Sequence, residues 1–211
     1  MPKHKIISIK PQVHDPRRKT IIFEDGSVFG ISEDVFISQN LNVGTELDEP
    51  TLEKIQNEEL YSKAYNAALR LLGYRMRSCA EMKRRLLEKK YPINVINDVI
   101  TNLLNSDYLN DEKFAIAFVH DKIKSKNIGP LVLQNELTNH KIDENIVQKT
   151  LQKIYQEYPI NELIKKILHK KKVKSDTKIE TKSKKRLVHL LFRKGFNWAE
   201  ISTVFDEMNI K

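Results

Sequence analysis

Leu191-Phe192-Arg193-Lys194-Gly195-Phe196, followed by Ile201, Phe205 and Met208, decides the fold, because its spacing occurs twice more in the chain. Counted from Leu191, Lys194 is at position three, Phe196 at five, Ile201 at ten, Phe205 at fourteen and Met208 at seventeen. From Leu137 the same positions hold His140, Ile142, Val147, Leu151 and Ile154; from Leu86 they hold Lys89, Tyr91, Ile96, Ile100 and Leu103. Self-similarity at a near-constant period marks a repeat architecture. Positions ten, fourteen and seventeen fall on one helical face and bury together. Position five falls in the turn before that helix, where it plugs the core against the leucine at position zero. The pattern is mainly a folding device. Its contribution to function is length, since repeats build extended surfaces more readily than pockets.

Working outward, the periodicity is helical almost throughout from residue 51. Each repeat holds three helices: 64–72, 80–89 and 93–105 in the first, 111–124, 130–139 and 144–157 in the second, 161–170, 182–194 and 198–208 in the third. Cap signals mark their ends. Ser78-Cys79-Ala80-Glu81 and Asn197-Trp198-Ala199-Glu200 fit capping boxes. Pro130 follows Gly129 at a helix start, where its missing N–H is harmless. Asp143 is placed to cap the helix after it, and Gly195 to end one in a left-handed turn. The segment 171–185, dominated by Lys, Ser, Thr, Asp and Glu, stretches the first connection of repeat three and is expected to be mobile.

The first 40 or so residues read as strands. Lys5-Ile6-Ile7-Ser8-Ile9 is rich in β-branched residues, and Glu24-Asp25-Gly26 between two apolar runs is a hairpin signal. Val35-Phe36-Ile37 is read as adding a strand or closing the sheet. The fold class is therefore mainly α, with three tandem three-helix repeats preceded by a small β-hairpin-containing N-terminal region. The expected domains are a β-rich extension with an acidic joint at 1–57, repeat one at 58–108, repeat two at 109–157, and repeat three at 158–211 with the basic insert 171–185.

Chemistry-bearing motifs are absent from the sequence. The glycines at positions 26, 30, 44, 73, 129 and 195 never cluster into a phosphate loop. No His-Glu-x-x-His and no cysteine pair offers a zinc site. His4, His14, His120, His140, His169 and His189 are assigned solvated or capping roles. Asp98, Asp111 and Glu112 lack convergent partners, and nothing resembles a nucleophile–base pair. Hence no enzyme activity, metal or cofactor is expected. A single cysteine, Cys79, excludes an intramolecular disulfide and fits a reducing compartment. It is either a small residue in a first helical turn or a reactive thiol. No run approaches the ~20 apolar residues of a membrane span. Met1-Pro2-Lys3-His4-Lys5 has no long apolar stretch behind it, so no secretory signal is read. A cytoplasmic, monomeric protein with no membrane contact is expected.

Charge is the remaining signal. The net charge is +9, from 37 Lys/Arg and 28 Asp/Glu. Residues 161–196 carry 13 basic and 3 acidic residues, and 70–90 carry 8 basic and 2 acidic, whereas 24–60 carry 1 basic and 10 acidic. Such polarity points to a polyanion or an acidic protein face as partner, against the plainer reading of a solubilising surface. The candidate surface comprises Arg70, Arg75, Arg77, Lys83, Arg84 and Arg85 from the first cluster. From the second come Lys165, Lys166, Lys170, Lys171, Lys172, Lys184, Lys185, Arg186, Arg193 and Lys194. Phosphate contacts would give affinity without sequence information. Phe192, Phe196 and Trp198 are assigned to the core, so base stacking and sequence-specific reading are not expected. The acidic 24–60 region is also placed to restrain the basic tract.

Three stretches carry a family resemblance. Ala67-Ala68-Leu69-Arg70-Leu71-Leu72 is followed by Arg75-Met76-Arg77-Ser78 and Glu81-Met82. Then come Asp107-Tyr108-Leu109-Asn110-Asp111-Glu112-Lys113-Phe114-Ala115 and Leu191-Phe192-Arg193-Lys194-Gly195-Phe196. In this order, over about residues 60–211, the chain resembles the RecX regulatory proteins. Lys90 and Lys141 depart from the family pattern, which has Gly before the plug residue. The resemblance implies an elongated crescent of three-helix repeats that lodges in the groove of the RecA–DNA filament. It further implies inhibition of RecA ATPase and strand exchange, in recombination, repair and the SOS response. RecA is the implied partner, with single- or double-stranded DNA beside it. A direct, sequence-independent DNA-binding protein is the alternative.

Overall fold

Strands β1 (Lys3–Pro11), β2 (Arg18–Phe23), β3 (Val28–Ser32) and β4 (Glu46–Asp48) form an antiparallel sheet in the order β3-β2-β1-β4. The computed structural model describes residues 3–13 and 15–210; the readings placed on Met1, Pro2 and His14 lie outside the described residues. At the β2–β3 hairpin Gly26 takes φ +80°, as the Asp-Gly signal requires. Ile6, Ile21, Phe23 and Ile31 point to one buried face, completed by Val35, Leu41, Leu47, Leu52 and Ile55. Val35-Phe36-Ile37 is not a strand. It lies in a short helix, α1 (Glu33–Ser38), which buries Val35 and starts on two carboxylates, Glu33 and Asp34, suited to a helix N-terminus.

Helix α2 (Glu49–Tyr74) runs unbroken across position 57, where the sequence suggested a boundary. Asp48 caps it, accepting the Thr51 N–H at 3.0 Å. Its second half presents Ala64, Ala67 and Ala68, small enough for α4 (Ile93–Asn105) to approach closely, with Val95, Ile96, Val99 and Leu103 buried on α4. Glu59, 1% exposed, ties α2 to the sheet. It accepts the Arg18 guanidinium at 2.6 Å and the Ser32 N–H at 2.7 Å, with Lys63 Nζ at 3.3 Å. Burial pushes this carboxyl up, but the hydrogen bonds from Ser32 and Arg18 prevail and hold it below its ordinary value.

These elements belong to the first of two compact units, Met1–Arg75 with Met82–Tyr108. The second comprises Met76–Glu81 and Leu109–Lys211. Helix α3 (Cys79–Glu88) divides between them after Glu81. Unit 2 holds α5 (Asp111–Lys126), α6 (Pro130–Asn139), α7 (Glu144–Glu157), α8 (Ile160–Lys170), α9 (Thr181–Arg193) and α10 (Trp198–Glu207). One apolar core runs through all six helices.

The three sequence copies fold alike. Leu86, Leu137 and Leu191 are fully buried; Ile96, Val147 and Ile201 are too. The position-five N–H of each copy donates to the position-zero carbonyl: Tyr91 to Leu86 at 3.3 Å, Ile142 to Leu137 at 3.2 Å, Phe196 to Leu191 at 3.2 Å. The intervening residues Lys90, Lys141 and Gly195 all adopt positive φ, at 65°, 58° and 90°. This is the Schellman end of a helix, in which a left-handed residue lets the following N–H reach back. The departure from Gly at Lys90 and Lys141 therefore leaves the turn unchanged and adds strain, because a Cβ is disfavoured there. Lys141→Gly is expected to stabilise the protein by about 0.5–1 kcal/mol, the relief offset in part by a floppier unfolded chain. A denaturant midpoint lower than wild type would contradict this.

Candidate protein and nucleic-acid interface

The basic insert is built onto unit 2 rather than loosely tethered. After α8, Lys172 turns left-handed (φ 62°) and the Val173 N–H returns to the Leu168 carbonyl at 3.0 Å, burying Val173. Asp176 N–H donates to the Met208 carbonyl at 2.9 Å, and Asn209 Nδ2 to Asp176 Oδ1 at 2.7 Å. The expected mobility of 171–185 is thus corrected: its first half is anchored on α8 and the end of α10, and its last residues form the first turn of α9.

This anchoring opens a cleft of about 550 Å³ between the insert and α9. Lys171, Lys172, Lys178, Arg186 and Arg193 line it over Val173, Ile179, Leu187 and Leu190, with one carboxylate, Glu180. Five cations against one anion make a focused positive field suited to phosphate or carboxylate groups. Lys194 adjoins this region. Its Nζ donates to the Lys126 carbonyl, and burial followed by the charges of Lys170, Lys126 and Lys171 holds its pKa below the ordinary lysine value. A bound anion would relieve that crowding.

Not every expected surface residue joins the cleft. Arg77 is corrected: it is buried and ion-paired with Glu81, so it is no surface cation. Lys165 is committed to Glu207 at 3.0 Å and Glu162 at 3.2 Å, and Lys184 donates to the Ile210 carbonyl at 3.2 Å. Lys166 and Lys185 are exposed, but neither lines the cleft. In unit 1, Lys83 and Arg84 are exposed and Arg85 partly so on α3, where Glu88 meets Arg85 at 3.0 Å and Arg84 at 3.9 Å. Arg70 lines a separate cleft with Arg17, Arg18 and Lys63, balanced by Asp15, Glu33 and Asp34. Arg75 is exposed at the end of α2. Lys178 and Lys126 were not singled out from sequence. Lys178 lay within the dense 161–196 tract; Lys126, at the end of α5, gave no local signal.

Two further readings change. Phe196 is fully buried as expected, but Phe192 and Trp198 are 43% and 57% exposed, so they are not core residues. The Cys79 thiol is pushed up to about 12 by burial and by Asp111, which disfavours the reactive thiolate. Acidic residues of 24–60 find cations inside unit 1: Glu46 meets Lys3 at 2.8 Å and Glu33 meets Lys19 at 3.4 Å, beside the Glu59 cluster. Among the described residues, no group of three or more His, Cys, Asp or Glu side chains is arranged to hold a metal. Among the same residues, no helix is long and apolar enough to cross a membrane.

Residues 64–103 match the RecX first three-helix domain, and 110–151 the RecX second three-helix domain. A regulatory protein RecX of Bacillus subtilis (strain 168) is 35% identical over 204 residues, spanning 96% of this chain and 76% of the relative. The chain belongs to the RecX family. The RecX protein of Bacillus velezensis is 34% identical over 203 residues with the same coverage. A crystal structure of a regulatory protein RecX superposes with a TM-score of 0.74 at 25% identity, covering 98% of both chains. The RecX of Lactobacillus salivarius gives 0.62 at 26% identity, over 72% of this chain and 98% of that one. RecX is a family of regulatory proteins, and its name ties it to RecA, recombination and DNA repair. The two family domains cover the first two repeats; the third, which carries the basic cleft, is legible through the internal pattern.

Proposed function

We propose that this protein binds the RecA–DNA filament in its groove and inhibits RecA ATPase and strand exchange, acting in the cytoplasm as a monomer and without catalytic chemistry of its own. RecX membership over nearly the whole chain carries the reading. The cleft lined by Lys171, Lys172, Lys178, Arg186 and Arg193 supports it, since an acidic protein face or a phosphate backbone would each complement it. Titrating the protein against RecA's DNA-dependent ATPase is expected to give a dose-dependent fall, with strand exchange falling in parallel. Unchanged rates at every ratio would overturn the reading.

The same cleft favours a second reading, direct and sequence-independent contact with DNA. Each neutralised phosphate releases counterions, so affinity falls steeply with salt. Removing Arg186 and Arg193 together as alanines is expected to reduce the log–log salt slope by about 2 and to weaken binding alike on every sequence. A slope equal to wild type would take the cleft out of the DNA path.

A further inference from the structure

We propose that Trp198, with Lys185 and His189, forms a stacking platform for an unpaired nucleobase, so that unit 2 grips single-stranded nucleic acid in preference to duplex. This rests on the reading that the basic tract meets nucleic acid directly. Trp198 is the chain's only tryptophan and is 57% exposed at the start of α10. Its indole presents a large flat apolar face, of the kind on which bases stack, beside a cation-rich helix. The indole lines a cleft of about 260 Å³ whose other wall is α9, contributed by Thr181, Lys185, Val188 and His189.

The residues of that wall recur at helical spacing, 181, 185 and 188/189, on one face of α9. Arg186 and Arg193, in the neighbouring cation-lined cleft, lie on another face of the same helix. Helix α9 therefore faces the Trp198 ring of α10 on one side and carries phosphate partners on another. Lys184, at the rim, is held by the Ile210 carbonyl and lies over the Phe205 ring 5.6 Å from its centroid, which leaves the exposed Lys185 as the nearby phosphate contact. Aromatic stacking of this kind is tolerant of base identity, because every base has a π-face. It also requires an unstacked base. A duplex keeps its bases stacked and would meet only the cations.

Anisotropy of labelled oligo-dT and of a duplex of equal length, measured at low salt with the full chain, tests the proposal, with intrinsic fluorescence reporting on the single indole. Oligo-dT is expected to quench that fluorescence. Trp198→Ala is expected to weaken oligo-dT binding roughly 10- to 100-fold while changing duplex binding by less than about twofold, and Trp198→Phe to keep most of the oligo-dT affinity. Equal oligo-dT affinity for Trp198→Ala and wild type, without quenching, overturns the stacking platform and leaves cation–phosphate binding standing. Absence of any DNA binding by the wild-type protein overturns both. Loss of RecA inhibition by Trp198→Ala with oligo-dT binding intact overturns the platform in favour of a protein contact.

Discussion

Replacing Gly195 with alanine is expected to destabilise unit 2 by at least about 3 kcal/mol and to lower its melting temperature by roughly 10 °C. Two causes add. The residue sits at φ +90°, where a Cβ brings strain of about 1–2 kcal/mol. That Cβ would also lie 2.5 Å from the Val132 backbone nitrogen and 2.8 Å from Val132 Cγ2, closer than atoms pack. Backbone cannot yield as a flexible side-chain tip can. The turn could move only by giving up the hydrogen bonds that join it to the start of α6, Gly129 N–H to the Lys194 carbonyl at 2.7 Å and Leu131 N–H to the Gly195 carbonyl at 3.1 Å. Gly129→Ala approaches the same contact from the other side, since its Cβ would meet Gly195 and Phe196 at 2.7 Å, and should be similarly harmful. Gly73→Ala is the control. Nothing lies within 4 Å of a Cβ there and the residue is helical, so stability should rise by up to about 1 kcal/mol. Thermal unfolding of the three variants would decide; a Gly195→Ala protein that melts with wild type would mean that the close approach is not part of the fold.

Glu59→Ala should cost unit 1 about 2–4 kcal/mol, because it strands the Ser32 N–H and leaves the half-buried Arg18 guanidinium with the Gly30 carbonyl in place of its carboxylate partner. The pH dependence follows from the lowered carboxyl pKa. A carboxylate whose folded pKa lies below its unfolded value contributes stability that is complete above the unfolded value, near 4.5, and is lost as pH falls toward and through the folded one. Wild-type stability should therefore drop as the solution is acidified below about pH 4.5, and Glu59→Gln should flatten that part of the profile. Denaturant melts at neutral pH and on acidification would test both. Identical acid profiles for Glu59→Gln and wild type would remove Glu59 as a cause of acid sensitivity. A double replacement, Arg18→Met with Glu59→Leu, should recover much of the loss, since it leaves no buried charge unpaired.

The helical repeats were legible because their core positions are apolar, periodic and repeated three times. The caps at Asp143 and Asn197 were legible because short polar side chains before an apolar run have few other uses. The misreadings have local causes. Val35-Phe36-Ile37 is too short for its period to distinguish strand from helix, and the deciding signal was the acidic pair before it. Phe192 follows Leu191 by one residue, so it projects about 100° away from the buried leucine on the helix. Trp198 shares a face with Ile201 and Phe205 but stands in the first turn, where being in phase does not guarantee cover. Arg77 was counted as surface although Glu81, four residues on, offered an ion pair. The cleft itself was beyond reach, because it depends on Asp176 and Asn209, distant in sequence, holding the insert against the end of α10.

The residue at position three bears on how such a chain can vary. Ser78 Oγ donates to the carbonyl of His140 at 3.0 Å, and Gly129 N–H to the carbonyl of Lys194. Ser78 precedes α3 as Gly129 precedes α6, so the two links occupy equivalent places in successive copies. Both grip the main chain, which every amino acid supplies, and neither reads the side chain projecting from it. Architecture and recognition are thus written in separate alphabets: main-chain carbonyls take both bonds within unit 2, while the surface charge around them is free to be rewritten. A dense positive face can arise in one copy and not in another without disturbing either bond, and the unequal charge of the repeats in this chain is what that freedom permits.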